Sequence, residues 1–215
     1  MIKENEIPEV SVEGLRIIAK GVTGTIYEYS DDKILKIYDV KVPFEEVKKQ
    51  RQISLSALEQ GIPTAKVYEL VQCKGQYGVI FEYLKAGTLG EEIGRDQDKR
   101  LHYATKMGEL LKKVHQSKPD AGLFPPLYEM VAGNNRRCSA YLSKEQQNTL
   151  MEFLNTYPPQ KCLLHGDFHE NNIMVKDGEP VLIDLDSMCI GSPLADFAQT
   201  YCSYKMPLPP EVMEQ

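Results

Sequence analysis

Residues 163–175, LLHGDFHENNIMV, constrain this chain more than any other stretch. Two apolar runs bracket a cluster of two His, one Asp, one Glu and two Asn. Burying such groups without partners costs roughly 2–7 kcal/mol each. The cluster is therefore either a solvated loop or a place where polar groups meet a ligand. Downstream, NIMVKDGEP reads as a hairpin with its turn at Lys176-Asp177-Gly178, and EPVLIDL as its returning strand. Arms of that kind can bring Asp167, Asn172 and Asp184 toward one point. These are hard oxygen donors, suited to Mg²⁺, which takes one or two carboxylates and completes its shell with water and phosphate. Soft zinc ligands are absent nearby: Cys162 sits on an apolar strand and Cys189 has no spaced partner.

The pattern changes once along the chain. EGLRIIAKG, TGTIYEYS and DKILKIYD read as short strands, with a turn at Asp31-Asp32. A helix follows from about Pro43 to Gln60, with Phe44, Val47, Ser54, Leu55 and Leu58 roughly on one face, and Gly61 and Pro63 end it. AKVYELVQC and YGVIFEYL are two more strands. After Gly87 helical spacing takes over: Leu101, Ala104, Met107, Leu110, Leu111 and Val114 share one stripe. A Pro-rich break at 118–126 precedes a polar helix at Lys144–Asn155, and helix returns beyond Ser192. The expected fold is α+β, with a β-rich lobe at 1–83 and a mainly helical lobe at 84–215.

Composition narrows the function classes. A 42% hydrophobic content is enough for a core, and the net charge of −6 disfavours nucleic acid as a partner. Five cysteines, none in a CxxC pair, argue against a disulfide or zinc scaffold. The start, MIKENEIPEV, lacks the apolar core of a signal peptide, and no run of 18 apolar residues is present to span a membrane. The expected compartment is the cytoplasm.

HGDFHENN, LIDLD and PLADFA together resemble the aminoglycoside phosphotransferase and choline kinase family, small-molecule relatives of the protein kinases. Asp167, Asn172, Asp184 and Asp196 match that pattern residue by residue, and the resemblance runs from about Leu15 to Tyr204. It implies a two-lobed protein kinase-like fold and ATP-dependent phosphorylation of a hydroxyl. The acceptor implied is a small molecule of aminoglycoside, amino alcohol or sugar type. ATP and Mg²⁺ are the implied cofactors. In such a site catalysis is positioning plus charge stabilisation of a transferring phosphoryl group. The resemblance casts Asp167 as the group that accepts or orients the hydroxyl proton, and Asn172 and Asp184 as metal ligands. His165 is expected to fix the loop. Asp186 is either a further metal or loop contact or a solvated strand end. Asp196 either ties the catalytic loop through backbone amides or is a plain acid at a helix start.

The first half matches less fully. AKGVTGTIY offers Gly21, Thr23, Gly24 and Thr25 as a phosphate-covering turn, but it has no GKS or GKT and lacks the three-glycine kinase pattern. Two glycines in a hairpin can also be only a turn. Lys36, within an apolar strand, is either the family's phosphate-contacting lysine or an edge-strand lysine. The helix acid that partners such a lysine is missing: its place falls near Gln50 or Arg51, and Glu46, one turn earlier, is the best substitute. A Glu46–Lys36 pair is therefore expected. VIFEYLKAG resembles the strand and hinge that read adenine through backbone groups, at Glu82, Tyr83 and Leu84. The acidic stretch Glu91, Glu92, Asp96 and Asp98 is either an attractor for an amine or a solvated helix face. Two other readings remain: a protein kinase-like enzyme, disfavoured by the dozen residues between Asp184 and Asp196, and a nucleotide-binding module without catalysis. The helical segment after PLADFA is short, so part of the acceptor pocket is expected to be trimmed.

Overall fold

The computed structural model describes residues 3–21, 23–156 and 161–205. Val22 of the glycine turn lies outside the described residues. The chain divides into two compact units, 1–110 with 171–186 and 111–170 with 187–215. This division differs from a boundary at 83/84. Backbone bonds tie the segment 171–186 to the first unit: Leu182 N–H donates to Pro63 O at 2.8 Å and Val175 N–H to Gly87 O at 2.9 Å.

The first unit is built on an antiparallel five-stranded sheet. Its strands are β1 (Ile17–Lys20), β2 (Gly24–Ser30), β3 (Lys33–Tyr38), β4 (Val67–Cys73) and β5 (Gln76–Glu82), in the order β1-β2-β3-β5-β4. Side chains alternate between the two faces. Leu35 and Ile37 of β3 pack with Val71, Cys73 and Ile80. Tyr38 packs on the other face with Phe44 and Val47 of α1 (Phe44–Glu59), and with Val67, Leu70 and Val79. Lys36, two residues before Tyr38, shares the face covered by α1. The opposite face is covered in part by Val10 and Val12 of the N-terminal segment, which bonds along β4 through Val10 N–H to Gln72 O at 2.8 Å.

Three further elements belong wholly or partly to this unit. The helix α2 (Leu89–Arg95) starts at a reciprocal cap, in which Thr88 Oγ1 accepts from Glu91 N–H and the Glu91 carboxylate accepts from Thr88 N–H. The helix α3 (Arg100–Gln116) carries the unit boundary between Leu110 and Leu111. Its buried stripe is Tyr103, Met107, Leu110, Leu111 and Val114; Leu101 and Ala104 are exposed. The hairpin β7 (Ile173–Lys176) and β8 (Glu179–Leu182) closes through Asp177 and Gly178, at φ 53° and 80°. Two positive φ values in a two-residue loop match the twist of the flanking strands.

The second unit contains α4 (Leu127–Arg137), α5 (Lys144–Asn155), α6 (Leu194–Lys205) and the short antiparallel pair β6 (Cys162–Leu164) and β9 (Cys189–Gly191). Leu163, Leu164, Phe168, Met188 and Phe124 are almost fully buried there. A Cβ on Gly191 would lie 2.8 Å from Leu127 Cβ, so glycine lets β9 approach α4 closely. Neither α4 nor β9 is expected from the sequence: Gly133, Asn134 and Asn135 weaken the helical pattern of α4, and β9 is three residues long. No helix among the described residues is long and apolar enough to cross a membrane.

Candidate functional site

In the first unit the site is organised around Lys36. β3 lies between β2 and β5, so Lys36 is on an interior strand and the edge-strand reading is excluded. Its Nζ donates to Asp186 Oδ2 at 2.8 Å and lies 3.4 Å from Asp184 Oδ1, with the Tyr38 ring centroid 5.0 Å away. Burial disfavours the ammonium, since the side chain is only 14% exposed. The Tyr38 phenol and the Asp186 and Asp184 carboxylates outweigh it and hold the lysine pKa above its ordinary value. Burial also pushes the Tyr38 hydroxyl upward, so it stays protonated and the carboxylates do the work at neutral pH. Burial likewise pushes the Asp186 carboxyl up; Asp184 and Glu46 add to this and Lys36 opposes it. Asp186 is thus a partner of Lys36, not a solvated strand end.

Glu46 does not pair with Lys36, contrary to the sequence expectation. It is exposed and accepts from Gln50 Nε2 at 3.0 Å. The reason is competition: two carboxylates from the distant segment 184–186 already meet the ammonium. Glu46 adds to the field that raises the Asp186 carboxyl.

Asn172 and Asp184 stand at the open end of the β7–β8 hairpin. The first register pair is Ile173 with Leu182, and Ile183 N–H donates to Asn172 O at 3.0 Å. Asn172 is buried, whereas the Asp184 side chain is half exposed. Asp184 adopts φ 54°, an uncommon left-handed conformation for a residue other than glycine. Among the described residues no three His, Cys, Asp or Glu side chains form a ready metal cage. An amide oxygen with two carboxylates nonetheless fits Mg²⁺, which takes few protein ligands and relies on phosphate and water for the rest.

The glycine turn and the hinge lie in the same unit. Gly21 N–H donates to Gly24 O at 2.9 Å, and Asp39 N–H to Thr23 O at 2.9 Å. A Cβ on Gly24 would come within 2.3 Å of Ile37 O, so close pairing of β2 with β3 requires glycine there. Thr25 continues β2 opposite Ile37. At the hinge, Glu82 N–H donates to Lys66 O and Tyr83 N–H to Asp32 O, each at 2.8 Å. The backbone of Leu84 makes no hydrogen bond among the described residues. Glu82 carries an ion pair to Lys176, 2.6 Å from Oε1. The acidic stretch is engaged locally: Glu91 caps α2, Glu92 pairs with Arg95, and Asp96 with Lys99. Glu91 and Glu92 lie on α2, whereas Asp96 and Asp98 lie beyond its end.

In the second unit Asp167 follows β6 and is 39% exposed. Its N–H donates to His165 Nδ1 at 3.3 Å, and its Oδ1 accepts from Gln199 Nε2 at 3.1 Å. His169 Nε2 lies 3.6 Å from Oδ2. His165 is fully buried, edge-on to Phe168. Asp196, also fully buried, accepts from His165 N–H at 3.0 Å and Gly166 N–H at 2.8 Å, and meets His115 Nε2 at 2.9 Å. Asp196 therefore ties the loop through its backbone. Gly166 has φ 80°, and a Cβ on it would sit 2.1 Å from Ser187 O. Thr200 Oγ1 donates to Phe168 O at 2.7 Å. Sequence reasoning does not find Gln199 or Thr200; their only signal is a position one turn after Asp196.

Comparisons with known proteins give the family and the fold. The model of the phosphotransferase enzyme family matches residues 14–215. No curated protein matches the chain by sequence. Among solved structures, the amicoumacin kinase hAmiN, in complex with AMP-PNP, Ca²⁺ and Ami, is 18% identical with a TM-score of 0.67; the match covers 95% of this chain and 68% of that one. A choline/ethanolamine kinase family protein from Mesorhizobium loti is 15% identical with a TM-score of 0.63, over 90% of this chain and 65% of that one. The aminoglycoside phosphotransferase APH(3'')-Id from Streptomyces rimosus is 16% identical with a TM-score of 0.65, over 93% and 81%. The chain thus spans about two thirds of the length of the first two. At these identities the likeness is one of fold, a kinase-like α+β fold.

Proposed function

The chain belongs to the phosphotransferase enzyme family, and from that premise we propose that it transfers the γ-phosphoryl group of ATP to a hydroxyl of a small molecule. The observation that carries this reading is the gathering of Lys36, Asp184 and Asp186 around one charge centre, with Asn172 at the mouth of the same hairpin. Bound Mg²⁺ and ATP supply the transferable phosphoryl group and neutralise its charge. Asn172 and Asp184 would hold the metal, with Asp186 close by. Lys36 would hold the α and β phosphates as a fixed cation. The turn Gly21, Thr23, Gly24 and Thr25 would cover the phosphates with backbone N–H groups. Glu82, Tyr83 and Leu84 would meet adenine, and the unbonded backbone of Leu84 supports this. Asp167 would accept or orient the proton of the acceptor hydroxyl.

Small molecules are the favoured acceptors because the solved kinases of similar fold include an amicoumacin kinase and an aminoglycoside phosphotransferase. The free thiols of Cys73, Cys162, Cys189 and Cys202 support a reducing compartment, the cytoplasm. The test is ADP release from Mg²⁺ and ATP with a panel of amino alcohols, sugars and aminoglycosides. ADP release that depends on one acceptor class is the expected result. Tight ATP binding without release across the panel would instead make the chain a nucleotide-binding module.

A further inference from the structure

We infer that Gln199 is a positioning residue that sets the orientation of the Asp167 carboxylate; the inference rests on the proposed phosphotransfer. Helix α6 grips the loop 165–168 from one face. Asp196, Gln199 and Thr200 stand at i, i+3 and i+4, so their side chains are neighbours on the helix. Asp196 takes the N–H groups of His165 and Gly166, and Thr200 bonds the carbonyl of Phe168. Both of these fix backbone. Gln199 alone of the three touches the carboxylate, with Nε2 3.1 Å from Oδ1 of Asp167.

The chemistry of the donor matters. Asp167 is a short side chain, 39% exposed, with His169 Nε2 3.6 Å from its Oδ2, and the Gln199 bond holds the other oxygen, Oδ1. An amide N–H fixes one oxygen and leaves lone pairs on the carboxylate for an acceptor hydroxyl. Being neutral, it lowers the basicity of the carboxylate less than an adjacent cation would. Because loop and helix are already locked by Asp196 and Thr200, the Gln199 bond sets side-chain rotation rather than loop position. Misplacement of a reacting group by about 1 Å can cost on the order of 10²-fold in rate.

The experiment uses Gln199→Met, which keeps length and helix propensity without a donor, and Gln199→Lys, which restores a donor. ADP release is measured from Mg²⁺ and ATP with water, streptomycin, choline and glucose as acceptors. For Gln199→Met, kcat is expected to fall about 10- to 100-fold with the KM for ATP within about twofold. Gln199→Lys should restore the Asp167 rotamer but only part of the lost kcat, because its charge also lowers the basicity of the carboxylate. A crystal structure of Gln199→Met should show the Asp167 carboxylate rotated. Turnover of Gln199→Met within about twofold of the parent, or an unmoved Asp167 rotamer, overturns the inference. A parent protein that binds ATP but releases no ADP with any acceptor overturns the phosphotransfer reading itself.

Discussion

The ammonium of Lys36 lies 2.8 Å from the carboxylate of Asp186 and 3.4 Å from that of Asp184. The lysine therefore occupies, as an internal cation, the carboxylates beside which a divalent ion is proposed to bind. Removing it should make nucleotide-free protein a better metal binder. For Lys36→Met, Mn²⁺ affinity measured by electron paramagnetic resonance should rise about tenfold, equal to roughly 1.4 kcal/mol. Unchanged or weaker Mn²⁺ binding would show that lysine and metal do not compete.

The same relationship redirects the energetic coupling of Lys36. In urea unfolding, a double-mutant cycle of Lys36→Met with Asp186→Asn should give an interaction of at least about 1 kcal/mol. The cycle of Lys36→Met with Glu46→Gln should be additive within roughly 0.5 kcal/mol. The reverse ranking would mean that α1 supplies the counter-charge after all.

Asp167→Asn should retain Mg²⁺-dependent ATP affinity while phosphoryl transfer falls by about 10²- to 10⁴-fold, the usual contribution of a positioned general base. Isothermal titration with ATP and a turnover assay with the responding acceptor separate the two effects. Full turnover by the variant would remove Asp167 from the proton-accepting role.

Gly166→Ala should destabilise the protein strongly. The position has φ 80°, and the added Cβ would lie 2.1 Å from Ser187 O, a backbone atom that cannot rotate away. Backbone strain of this kind costs about 1–3 kcal/mol before the clash is counted, so a loss of at least that size is expected by urea denaturation.

Glu82 gives a pH signature. Burial works against its carboxylate, but the Lys176 ammonium and the Lys66 N–H outweigh it and hold the pKa below the usual 4.5. A depressed folded-state pKa contributes stability that is present above the unfolded value and lost as pH falls through the folded one. The difference in Tm between parent and Glu82→Gln should be full at pH 7, and shrink as the pH is lowered below 4.5. A difference independent of pH would exclude the ion pair as its source.

Several parts of this molecule were legible in the sequence for identifiable reasons. The hairpin at 173–182 announces itself because Asp177-Gly178 demands two left-handed residues between apolar arms. α1 and the five strands carry clear periodicities. α4 was hidden by Gly133, Asn134 and Asn135, and the N-terminal cover at Val10 and Val12 by its lack of any regular pattern. At the site, Asp167, Asn172 and Asp184 stand out through spacing and residue type, and Asp196 through the family resemblance carried by PLADFA. The partner of Lys36 was misread because helical phase identifies Glu46 as facing the sheet, yet says nothing about an acid 150 positions away. Gln199 was invisible for a related reason: a glutamine on an exposed helix has no distinguishing local feature, and its role exists only through the loop it meets.

The β7–β8 hairpin has a consequence for recognising distant relatives. Its ends are pinned by Ile183 N–H to Asn172 O, while its turn lies at the far end, between Lys176 and Glu179. Adding one residue to each arm would move the turn outward and leave Asn172 beside Asp184. The interval between them is thus elastic in steps of two, whereas a single unpaired insertion would shift one arm past the other. A search profile that permits paired insertions at Asp177-Gly178, and penalises odd ones near Ile173 or Leu182, should recover chains that a fixed spacing rejects.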